Sequence, residues 1–107
     1  MSYRVVITAN AKSNLRDYYE RAAKNAPETA ANWLSRFHAA LQTLSSQPER
    51  CPLATENFLV EQEIRQFIFG RRIGTYRALF AIVDDEVRIL HIRRAAMGTA
   101  QSEDIEG

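Results

Sequence analysis

The sequence predicts an α+β domain: an N-terminal strand, an antiparallel helix hairpin, then a three-strand antiparallel meander, with the helices on one face of the sheet. Three observations lead there. Between Ala9 and Leu44 the apolar residues recur at helical spacing. Beyond Ile64 the spacing changes to an alternation of two. Prolines, glycines and a pair of aspartates separate the regular stretches, where helices end and hairpins turn.

Tyr3–Ile7 is short, β-branched and aromatic, and reads as a strand. Thr8 is placed to cap a helix from Ala9 to about Asn25, whose apolar positions include Ala11, Leu15, Tyr18, Tyr19 and Ala22. Pro27 suits the first turn of a second helix, and Glu28 adds favourable charge there. Ala30, Trp33, Leu34, Phe37, Leu41 and Leu44 form its one-sided stripe, and Pro48 and Pro52 end it. Residues 49–62 lack periodicity and read as a loop. Ile64–Phe69, Thr75–Val83 and Glu86–Arg94 read as strands, joined by a glycine-bounded turn (Gly70–Gly74) and a tight turn at Asp84-Asp85.

At 107 residues the chain is one domain, expected over 1–97, with a small, polar, acidic tail over 98–107 that is expected to fray. An apolar content of 46% and a net charge of +1 exclude global disorder. No apolar run approaches the roughly 20 residues of a membrane span, and the N-terminus lacks a signal-peptide pattern. A single cysteine, Cys51, fits a reducing cytoplasm and reads as a bystander. With only His38 and His91 beside it, no metal site is expected, and no cofactor motif is present.

Charge is distributed unevenly. Residues 1–63 balance seven basic against seven acidic side chains. Residues 64–94 carry seven arginines (65, 71, 72, 77, 88, 93, 94) against Asp84, Asp85 and Glu86, a net of +4. Guanidinium binds carboxylate and phosphate bidentately and desolvates more readily than ammonium. The two-residue turn at Asp84-Asp85 pairs Tyr76 with Arg93, Ala78 with His91, Phe80 with Ile89 and Ile82 with Val87. That register leaves both faces of the hairpin apolar in the middle. Two helices cover only one face, so the loop 49–62, a second copy or another protein is expected on the other. His91 beside Tyr76, Arg77 and Arg93 has the makings of an acid–base and phosphate site, or of a half-buried histidine bonded to a backbone group. His38 reads as packing or surface.

A series of segments, with Leu41–Leu44 followed by Pro48 as the end of helix two among them, carries a family resemblance over nearly the whole chain. Tyr3–Ala11 is similar to a first strand running into helix one. Ile64-Arg65 is similar to an "I-R" strand, and Gly74–Phe80 followed by Val87–Arg93 to a "Y-R-x-x-Y/F" strand and a final strand. In order and spacing they resemble the RelE/ParE superfamily of toxins from bacterial type II toxin–antitoxin modules. The resemblance implies a cytoplasmic plasmid-stabilisation type toxin, neutralised by a cognate antitoxin, as a homodimer or a toxin–antitoxin heterotetramer. Ribonuclease members that end in a His-Tyr pair would place it at Ala95 and Ala96, so the ParE-like branch is favoured, whose members bind and inhibit DNA gyrase without a nuclease site. On that reading Arg65, Arg71, Arg72, Tyr76, Arg77, Arg93 and Arg94 contact target or antitoxin. The alternative is a RelE-like ribosome-dependent mRNA endonuclease using Arg65, Arg77, His91 and Arg93. A second alternative is a non-toxic binding domain of the same fold.

Overall fold

Thr8 ties the first two elements together. Strand β1 (Arg4–Ile7) passes through it into helix α1 (Ala9–Ala23). Its hydroxyl accepts the Ala11 N–H at 3.3 Å and donates to the Ile89 carbonyl at 2.8 Å, so one side chain caps the helix and pins it to the sheet. The computed structural model describes residues 2–106, apart from the side chain of Ile73. Met1 and Gly107, the outer bounds of the expected domain and tail, lie outside the described residues.

Pro27 opens helix α2 (Pro27–Gln42), which buries Ala30, Phe37 and Leu41. A 3₁₀ turn, Thr43–Ser45, extends it and buries Leu44. The loop that follows contains two more 3₁₀ turns, Pro48–Arg50 and Thr55–Leu59. Strands β2 (Arg65–Phe69), β3 (Tyr76–Val83) and β4 (Glu86–Arg94) complete a sheet of order β1-β4-β3-β2. β1 runs parallel to β4, which the helix hairpin between them permits; the other pairs are antiparallel. At the β2–β3 turn Gly70 takes φ +86, and a Cβ there would run into the Gly74 carbonyl. Among the described residues no helix is long and apolar enough to cross a membrane.

The helices pack on one face of the sheet. Leu15, Phe37, Leu41 and Leu44 meet Ala78, Phe80, Val87, Ile89 and Ile92 there. The second face is apolar too, as expected, and Leu79 and Ala81 lie at its centre. Ala54 and Val60 of the loop cover part of it. The rest is covered by Ala100 and Ile105, from the segment expected to fray. That segment folds back as a strap ending in a short helix, α3 (Ser102–Glu106), with Ile105 buried.

The β3–β4 register holds near the turn and shifts by one beyond it. Ile82 pairs with Val87 and Phe80 with Ile89, as predicted. A bulge between Leu79 and Phe80 then pairs Leu79 with His91, Ala78 with Ile92, Arg77 with Arg93 and Tyr76 with Arg94. The expected Tyr76–Arg93 and Ala78–His91 pairs are therefore corrected. Leu90 is the extra residue, and past it every β4 side chain changes face. Tyr76 and Arg93 lie on opposite faces of the sheet.

If the strap is part of the packed structure, Ile105→Ala should lower unfolding stability by about 2 kcal/mol, the low end for a buried aliphatic truncation. A urea titration measures this as a fall in midpoint at unchanged slope. A change below a few tenths of a kcal/mol would mean the tail does not pack in solution.

Candidate functional site

The bulge brings His91 and Arg93 to the strap side of the sheet, where Arg77 of β3 also lies. All three are buried there, with 8%, 7% and 9% of their surface exposed. Arg77 is held by Glu56, which is 0% exposed. The Arg77 Nη1 and Nη2 groups donate to Glu56 Oε2 at 2.8 Å and Oε1 at 2.5 Å, a two-pronged ion pair. Arg77 Nε and Nη2 also donate to Gln66 Oε1, at 3.1 and 2.9 Å, and Nη1 donates to the Gly98 carbonyl at 3.2 Å. Glu56 accepts further bonds from the Ala100 N–H at 2.8 Å and the Thr55 hydroxyl at 3.1 Å. Burial alone would raise the Glu56 pKa. The Arg77 guanidinium and the backbone N–H groups outweigh it and hold the carboxyl at about 2.

Arg93 is directed to the strap as well. Its Nη1 lies 3.4 Å from Asp104 Oδ2 and 3.4 Å from His91 Nε2, and its Nη2 donates to the Met97 carbonyl at 3.2 Å. Burial pushes the His91 pKa below the ordinary histidine value, and Arg93 adds to this while Asp104 opposes it. These groups line one side of a cleft of about 370 Å³, with Asn14, Asp17, Tyr18 and Arg21 of α1 opposite. The cleft mixes both signs of charge.

Arg65 is apart from this group. It pairs with Phe80, on the helix side, and its Nη1 donates to the carbonyls of Cys51 at 2.6 Å and Glu49 at 3.2 Å. Its Nη2 meets Glu63 at 3.1 Å. Arg65 thus fastens the loop to the edge strand. The four residues of the ribonuclease alternative do not converge on one open site. Cys51 is buried, and burial raises its thiol pKa. His38 is exposed on α2. Among the described residues no group of three or more His, Cys, Asp or Glu could hold a metal ion.

The remaining candidates gather at one corner. Arg71 and Arg72 are exposed in the β2–β3 turn, and neither takes part in an ion pair among the described residues. Arg94 is exposed opposite Tyr76. Tyr76 stands in an aromatic cluster, its ring centroid 5.1 Å from Tyr18, 5.1 Å from Trp33 and 5.8 Å from Phe37. Beside this corner β2 is an edge strand. Its first residues are covered, since the Gln66 N–H donates to the Pro52 carbonyl at 3.0 Å. Among the described residues no strand pairs with the outer edge of Phe67–Phe69, the side away from β3, and Ile68 there is 47% exposed. An open edge with a flanking positive charge is suited to receive an extended acidic segment.

Sequence reasoning missed Glu56, Gln66 and Asp104. A signal for the acids existed: arginines that share an apolar strand face need carboxylates to be buried with them. No local spacing said which carboxylates.

A family model described as the ParE toxin of type II toxin–antitoxin system, parDE, matches residues 5–98. Among solved structures the chain is similar to one from a chromosomal ParDE TA system of P. aeruginosa. The identity is 19%, the match covers 87% of this chain and 96% of that one, and the TM-score is 0.71. At that identity the likeness is one of fold. No curated protein matches the chain in sequence.

Two outcomes follow from the Glu56–Arg77 pair. Arg77→Ala strands a buried carboxylate and should cost roughly 3–5 kcal/mol in a denaturant titration, whereas Arg88→Ala, at an exposed position, should change stability by about 0.5 kcal/mol or less. Stability should also fall with acid. Both Glu56 and His91 have folded pKa values below their unfolded ones, so the unfolded chain binds more protons as pH drops. The His91 contribution starts to fade below about pH 6.5. The Glu56 contribution, worth roughly 3 kcal/mol, is complete above its unfolded value near pH 4.3 and is lost as pH falls to about 2. Midpoints measured from pH 8 to 2 check this; in Glu56→Gln the lower step should shrink, leaving only what Glu49 and Glu86 contribute.

Proposed function

The chain belongs to the family of ParE toxins of type II toxin–antitoxin systems, and on that premise we propose that it acts by binding a cellular target such as DNA gyrase and is neutralised by a cognate acidic antitoxin. The observation that carries a binding mode is the division among the arginines. Arg77 and Arg93 are buried and occupied by Glu56 and by Asp104 and the Met97 carbonyl, and Arg65 is occupied by loop carbonyls. A scissile phosphate needs cations and a proton-transfer group that reach it. Arg71 and Arg72 are presented to solvent instead, next to the open β2 edge.

The antitoxin is expected to meet that corner through carboxylates. Complementary charge at an interface rim speeds encounter and is screened by salt. The complex therefore forms fastest at low ionic strength, and the double variant Arg71→Glu/Arg72→Glu slows its formation.

Induction of the chain in bacterial cells tests the reading. Growth arrest with DNA breakage and intact messages is the expected result, and coexpression of the cognate antitoxin should relieve it. His91→Gln, shown to fold by thermal melting, should keep most of the toxicity. A loss of toxicity of roughly a hundredfold or more, in parallel with loss of message cleavage, would establish proton transfer at His91 and overturn the binding mode.

A further inference from the structure

Near the connection of the helix hairpin, beside Gly74 of the β2–β3 turn, lies a slot of about 270 Å³. Its floor is made of small residues, Ala22, Ala26 and Ala30, and its walls of Tyr18, Trp33 and Tyr76. Alanines where two helices and a turn converge leave the room that larger side chains would fill. The walls are fixed by their own ring contacts, Trp33 on Phe37 at 5.6 Å and Tyr18 on Tyr76 at 5.1 Å. A preformed slot loses little entropy when it is occupied.

The charge in the slot's lining has one sign. No acidic residue lines it; Arg36 does, and so does Gly74, which follows Arg71 and Arg72 in the turn. Arg94 stands across from Tyr76 in the sheet, near enough to oppose the rise that burial gives the Tyr76 pKa. The His91–Arg93 cleft, by contrast, carries Asp17 and Asp104. We propose that this slot seats one large apolar side chain, aromatic or branched, from a segment of the antitoxin that carries carboxylates on either side of it. This rests on the toxin–antitoxin reading above and adds to it the anchor and its place. One buried anchor in a desolvated pocket, ringed by weaker polar contacts, is how few residues come to dominate an interface.

Trp33 is the only tryptophan of the chain, so the slot contains its own probe. Fluorotryptophan is incorporated into the toxin alone, and its fluorine resonance is followed as purified cognate antitoxin is added. In parallel the slot is filled from its floor by Ala22→Phe and, separately, by Ala26→Phe. Both positions are exposed, and thermal melting checks each fold. The expected result is a shifted Trp33 resonance in the complex and an affinity lowered at least about tenfold in the filled variants. A tight wild-type complex that leaves the resonance unmoved, or that both filled variants match in affinity, overturns the slot alone. A wild-type chain that forms no complex removes the toxin–antitoxin reading, and the slot with it.

Discussion

Glu56 is a carboxylate with no access to water, and the second layer of this protein is arranged around it. An ionised carboxyl removed from water costs several kcal/mol even after relaxation, unless it is paired and fully hydrogen-bonded. Here the partners come from three places: Arg77 from β3, Thr55 from the loop, and the Ala100 N–H from the strap. Arg77 in turn reaches Gly98. The pair therefore joins the centre of the sheet to the two segments that cover it. Neither segment has enough apolar surface to hold itself there, since the loop brings Ala54 and Val60 and the strap brings Ala100 and Ile105. The ion pair fixes where they lie, and the apolar contacts supply the favourable burial.

The one-residue bulge at Leu90 makes that arrangement compatible with the sheet. Without it, β4 would turn His91 and Arg93 toward the helices, beside Tyr76 and Ala78, and Ile92 toward the strap. The layer on the helix side there is hydrocarbon, Leu15, Phe37 and Leu41. With the bulge, Ile92 enters that apolar layer, while Arg93 reaches Asp104 and the Met97 carbonyl. The bulge thus sorts charge from hydrocarbon across the strand.

The helices, the strands and the helix-facing core were legible in the sequence because each is a periodic pattern with punctuation. Thr8, Pro27 and the two turns fall where the patterns break. The bulge was not legible for the same reason. Leu90 lies where both faces of β4 are apolar, so no alternation fixes the register across it. Asp84-Asp85 sets the pairing only as far as Phe80 and Ile89, and nothing local announces the slip. The strap was read as loose because small, polar and acidic residues usually are. Ile105 is a single apolar residue among acids, and its worth depends on a groove that the sequence does not display. Glu56 was passed over because charges default to the surface. At the corner, residue type singled out Tyr76, Arg71, Arg72 and Arg94, while Trp33 was read as core stripe. Its place beside the slot depends on three alanines, one from each helix and one from the connection between them.

The arginine count overstated the exposed, unpaired positive charge of the hairpin. Seven arginines in 31 residues suggest a basic face spread along the hairpin. Folding takes most of that charge out of circulation: Arg65 meets Glu63, Arg77 meets Glu56, Arg88 meets Glu86 and Arg93 meets Asp104. Each carboxylate lowers the field where it sits, and the exposed pairs among them contribute little to stability. The effect on shape is larger than the effect on stability. Positive potential is left concentrated at the β2–β3 turn, where the sheet edge is open and the aromatic slot begins. Neutralising the rest of the hairpin makes one corner of a nearly neutral chain distinct enough to direct a charged partner.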